Sequence, residues 1–110
     1  MPDFPQPTTG VLVEGGNWRN ITAAATLAAG DVALCNSTAA AFTVTLPPVA
    51  SGGPCIIKKT DAVPANPVTV KTADGSTIDG VVGTTGVALT VQNSRYSLAS
   101  DGANWWVTAG

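Results

Sequence analysis

Between Val68 and Val107 the chain reads VTVKTADGSTIDGVVGTTGVALTVQNSRYSLASDGANWWV. Short runs of alternating apolar and polar residues are broken here by Asp74-Gly75, Asp79-Gly80 and Asp101-Gly102. Alternation at a period of two is the pattern of a strand with one buried face. Asp-Gly supplies the positive-φ glycine that tight turns between strands require. In the first run Val68, Val70 and Thr72 share a face, with Thr69 and Lys71 opposite. Val87, Leu89 and Val91 alternate with Ala88, Thr90 and Gln92, and Tyr96 and Leu98 alternate with Arg95, Ser97 and Ala99. Trp105 shares a face with Val107, so Trp105 is expected in the core and Trp106 on the outer face. This stretch is predicted to form a β meander, for which the first two thirds must supply the other side of the core.

Those two thirds continue the pattern. Val11 to Val13 are expected to form a short strand ended by Gly15-Gly16, and NWRNIT from Asn17 alternates as well. Ala23 to Ala29 is the one run with helical propensity, but it is too short for a stable helix and is read as strand and turn. Strands are expected at Asp31–Asn36, at Ala41–Leu46 with Phe42, Val44 and Leu46 inward, and at Cys55–Thr60 with Ile56 and Ile57 on opposite faces. Of Lys58 and Lys59, at most one should point inward. Turn signals recur at intervals of roughly 8–12 residues, which suits an all-β sandwich or barrel. The expected fold is a single-domain antiparallel β-sandwich over residues 11–110, with a jelly roll as one possible form and no repeat of solenoid period.

Residues 1–10, MPDFPQPTTG, form an expected extended arm, because Pro2, Pro5 and Pro7 fix φ and remove amide donors. The arm has no core of its own. Phe4, Pro5 and Pro7 are its candidate contacts with a partner chain. Trp18 and Trp106 are further candidate contact residues, since tryptophan is enriched where interfaces concentrate their energy.

Charge narrows the function. Charged residues make up 11% of the chain, against about 25% in ordinary soluble domains. The five cations are scattered, unlike the clustered basic face of a nucleic-acid binder. A neutral, Thr- and Ala-rich β protein has little charge to oppose self-association, so much of its surface is expected to be covered by a partner or by copies of itself. The N-terminus lacks the basic start and apolar core of a signal peptide, and no apolar run reaches the roughly 18 residues of a membrane helix. Synthesis in a cytoplasm is expected, with Cys35 and Cys55 serving as small buried hydrophobes more readily than as a disulfide. Asn20-Ile21-Thr22 and Asn36-Ser37-Thr38 then match the glycosylation triplet by chance.

No enzyme chemistry is read from the residues. Histidine is absent, which removes the commonest general base and metal ligand. Two cysteines without histidine do not make a zinc site, and no Gly-x-Ser-x-Gly elbow occurs. Asp74, Asp79 and Asp101 are read as turn residues rather than Ca²⁺ ligands, and no cofactor is expected.

The ordered series Leu46-Pro47, Ile57 to Asp61 (IKKTD), Asn66 to Val70 (NPVTV), Thr77 to Gly80 (TIDG) and Ser100 to Trp105 (SDGANW) resembles a domain recurrent in structural proteins of tailed bacteriophages. The similarity spans roughly residues 31 to 108. Such domains occur in tail fibres or spikes and in small virion proteins. At 110 residues, with no coiled coil, shaft repeat or receptor-binding tip, the chain is expected to be of the second kind. The resemblance then implies a capsid decoration, or cement, protein: a dimer or trimer on the virion surface, bound to the major capsid protein, contacting neither nucleic acid nor membrane. The alternatives are a tail-fibre component that binds a host-surface glycan and a free carbohydrate-binding module.

Overall fold

A computed structural model of the chain describes residues 17–110. The predicted strand at Val11–Val13 and the proline arm with Phe4, Pro5 and Pro7 lie outside the described residues. The protein is all-β. Its strands are β1 (Asn17–Ile21), β2 (Ala25–Thr26), β3 (Asp31–Cys35), β4 (Phe42–Thr45), β5 (Cys55–Lys59), β6 (Val68–Lys71), β7 (Thr77–Ile78), β8 (Val81–Val82), β9 (Val87–Leu89), β10 (Arg95–Ser100) and β11 (Trp105–Ala109). One 3-10 turn at Val49–Ser51 interrupts them. Among the described residues no helix is long and apolar enough to cross a membrane.

The strands form two facing sheets, a seven-stranded one in the order β1-β3-β5-β10-β11-β7-β8 and a four-stranded one in the order β2-β4-β6-β9. The two-layer expectation holds, but the sheets are mixed rather than antiparallel, so the jelly-roll form does not apply. From β1 to β6 the chain alternates between layers. Odd strands pair in parallel in the large sheet and even strands pair in parallel in the small one. Parallel neighbours need a crossover, and here each crossover is a strand of the opposite layer. The result is a short two-layer coil. Its partner positions, Trp18↔Val32↔Ile56 and Ala25↔Val44↔Val70, show that no two turns use the same number of residues. That irregularity hides the coil from a search for repeats.

The C-terminal third closes the coil with mostly antiparallel pairings, the exception being β11, which pairs in parallel with β7. β9 caps β6, β10 pairs with β5, and β10 and β11 form a hairpin. The expected meander is therefore split between two sheets. Asp79 (φ 50) and Gly80 (φ 81) both take left-handed backbone between β7 and β8, the two-residue hairpin turn that Asp-Gly favours. Val91 departs from the alternation because β9 ends at Leu89, and the side chain is 66% exposed in the following turn.

Between the sheets, Ala33, Cys35, Ile57, Leu98 and Trp105 of the large sheet meet Val44, Val68, Val70 and Leu89 of the small one. Gly53 sits against Trp105 with φ +72, and a Cβ there would come within 2.9 Å of the indole ring. Only glycine satisfies both the backbone and the ring. Cys35 lies opposite Lys59, while Cys55 lies four positions earlier on β5. At about 3.3 Å per residue they are too far apart for a disulfide. Both are free and buried. Burial, with the Asp61 charge added, pushes the Cys35 thiol up to about 12; burial and Asp31 push Cys55 to about 11. They pack as thiols.

Candidate interaction surface

The register that sends Ala33, Cys35 and Ile57 inward sends their neighbours outward. On the outer face of the large sheet, Trp18, Val32, Ile56 and Ser97 stand side by side, and Asn20, Leu34, Lys58 and Arg95 form the next row. Trp18, Val32, Leu34, Ile56, Lys58 and Arg95 line an open depression of about 400 Å³. Trp18 is 68% exposed. A large ring this open to water, beside the half-buried Leu34 and Ile56 and the buried Val32, makes this face a candidate contact surface.

Trp106 stands further along the same face. It pairs with Ala99, past a register shift between Ser97 and Leu98, and is 45% exposed. Its Nε1 donates to Asp101 Oδ2 at 3.0 Å. Asp101 also accepts the amides of Asn104 and Ala103, and with the indole these hold its carboxyl down at about 2. The turn carboxylate thus fixes the orientation of an exposed ring. Trp105, one residue earlier, is wholly buried, so the two adjacent tryptophans divide as the alternation predicts.

The outer face of the small sheet differs. Thr26, Thr45 and Lys71 form one row, and Thr43, Thr69 and Ala88 the next. It is a polar surface of short side chains with one charge.

A third polar cluster is internal. Lys59, the inward member of its pair, is fully buried at the end of β5. Its Nζ lies 2.8 Å from Asp61 Oδ2, 2.6 Å from Ser37 Oγ and 3.0 Å from the Asn66 carbonyl. Asp61 accepts further bonds from the Ser37 and Val63 amides. Burial alone would raise the Asp61 carboxyl, but Lys59 and these donors outweigh it and hold the group far below the usual carboxylate range. Ser37 beside a lysine invites comparison with a nucleophile–base pair. Here the ammonium is committed to a carboxylate and Ser37 is 1% exposed, so neither the base nor the access that such chemistry needs is present.

Asp74 and Asp79 serve the turns. Asp74 accepts from Ser76 and from the Val49 amide, and Asp79 from the Val107 amide. Among the described residues no group of three or more metal-ligating side chains gathers.

Of the five predicted contact residues, Trp18 and Trp106 are exposed on one face, and Phe4, Pro5 and Pro7 lie outside the described residues. Sequence reasoning missed Val32, Leu34, Ile56, Lys58 and Arg95. A signal for them existed. Strand β3 reads DVALC, apolar at both parities, which marks a strand covered on both faces.

No protein-family model matches the chain, and no curated protein matches it significantly.

Proposed function

We propose that this protein is a structural, non-enzymatic component of a tailed-phage virion that binds the outside of the assembled head as a homo-oligomer and stabilises it against rupture. The observation that carries this reading is the outer face of the large sheet, where Trp18 and Trp106 stand exposed on a surface that also carries the half-buried Leu34 and Ile56. Such a face is suited to being covered. The Thr-rich face opposite has one charge to desolvate, and unpaired buried charge is what makes a large contact costly. The resemblance of the motif series from Leu46 to Trp105 to tailed-phage structural proteins is what suggests a phage particle as the partner.

Cement action follows from linkage. A protein that binds the assembled shell but not its free subunits adds its binding free energy to shell stability. Several copies joined around a symmetry axis raise the avidity of a modest single contact. Copy number per particle tests the proposal. A number comparable to that of the capsid subunits supports the head; one comparable to that of the tail fibres overturns it.

A second reading has its own observation. Two exposed indoles on one face, one held in place by Asp101, would also suit stacking on sugar rings, as in a fibre tip or a carbohydrate-binding module. Binding of purified protein to host-surface glycans, without binding to heads, would favour it.

A further inference from the structure

We infer that the depression on the large sheet receives the proline arm, residues 2–8, of a second copy of this chain. The inference rests on the homo-oligomer in the reading above and names the contact that builds it.

Charge selects the occupant. Among the described residues the depression is lined by two cations, Lys58 and Arg95, and by no carboxylate. Neither cation has an ion-pair partner among the described residues, where Arg19 pairs with Asp31 and Lys59 with Asp61. Packing two copies of this face against each other would bring their cations together, which disfavours a face-to-face dimer. The segment before Asn17 has the opposite character. Asp3 and Glu14 are its only charged side chains, and the net charge of the whole chain is −2, so this segment holds the entire negative excess.

Shape and chemistry agree with charge. Residues 2–8 read PDFPQPT. Proline-rich segments dock on aromatic-lined grooves with little ordering entropy to lose, because their backbone is already restricted. Trp18 supplies the aromatic wall, Val32, Leu34 and Ile56 the apolar floor for Phe4, and Lys58 and Arg95 the partners for Asp3.

Tether length favours a neighbouring copy over the chain's own arm. The depression begins at Trp18, one residue past the root of the segment at Asn17. Residues 2–8 are separated from that root by residues 9–16, a spacer able to span roughly 26–29 Å when extended. From β1 to β10 the face measures only about 14 Å across, at about 4.8 Å per strand. The spacer is longer than self-docking needs and long enough to carry the arm beyond the chain's own face.

Sedimentation of the purified full-length chain, with no phage particle present, tests this. The chain should sediment as a concentration-dependent oligomer. Phe4→Ala and Asp3→Lys should each raise its dissociation constant by at least about tenfold. The described core is built from residues 21–105, so circular dichroism should be unchanged. Combining Asp3→Lys with Arg95→Glu should restore association. A monomeric full-length chain, an oligomer indifferent to both arm substitutions, or a failure of the charge swap to restore it overturns the inference. These results leave head binding to be judged separately. An arm-dependent oligomer that ignores heads would sink the cement reading alone.

Discussion

Lys59 and Asp61, two residues apart where β5 ends, form an ion pair at 2.8 Å with both side chains closed off from water. The pair ties β5 to the loop that carries Asn66 and to Ser37 after β3. Replacing Lys59 by Ala leaves Asp61 buried without its countercharge and should destabilise the fold by about 3–5 kcal/mol. Chemical denaturation checks this. Lys58→Ala, on the outward side of the same strand, should change stability little.

Asp61 of this cluster and Asp101 of the β10–β11 turn both contribute to the acid limit of the fold. The folded carboxyls of Asp61 and Asp101 lie below their unfolded value of about 3.9. A depressed carboxyl contributes stability that is fully present above its unfolded pKa and is lost as pH falls through its folded one. The melting temperature should therefore respond little to these groups from neutral pH down to about 5, then fall progressively below about 4. Asp101→Asn should flatten the part of that decline nearest pH 2–4. An unchanged acid profile in that variant would contradict the assignment.

The adjacent tryptophans should separate in mutagenesis. Trp105→Ala empties a fully buried site and should cost about 3–5 kcal/mol. Its Nε1 has no hydrogen-bond partner among the described residues, so Trp105→Phe should cost less. Trp106→Ala and Trp18→Ala, both on the outer face, should leave the thermal midpoint nearly unchanged and reduce binding to particles.

Gly83 is a packing constraint. A Cβ there would land on Thr72 Oγ1 and the Ser76 carbonyl, which are hydrogen-bonded to each other at 2.8 Å. Gly83→Ala should destabilise by about 1–3 kcal/mol through overpacking. Thr72→Val, which removes the hydroxyl but not the volume, should not relieve the clash.

Much of the layer structure could be read locally. Val68 and Val70 inward, Trp105 in the core and the Asp-Gly turns all follow from alternation and turn chemistry, which act over a few residues. The parallel coil could not be read this way. Whether β3 pairs with β1 and β5 depends on crossovers of unequal length, and nothing in DVALC itself encodes the direction of a neighbour. The proposed contact face was half legible: both parities of β3 are apolar, but Arg95 joins Lys58 only through the β5–β10 register.

The residues that carry the phage resemblance are mostly structural. Lys59, Asp61 and Asn66 form the buried cluster, Asp79-Gly80 and Asp101-Gly102 make turns, and Trp105 fills the core. The series therefore speaks first to the fold. The proposed contacts Trp18, Leu34, Ile56 and Arg95 lie outside its fragments.

Thermal and osmotic-shock survival of phage particles made with and without this protein is the most direct measurement. Particles lacking it should still assemble but rupture at lower temperature and under milder shock. Adding back purified protein should restore resistance and saturate at a fixed number of copies per shell. Trp18→Ala protein should restore less at equal concentration. Particles that survive equally well with and without the protein, together with its location at the tail alone, would contradict the cement role and leave host-surface binding in its place.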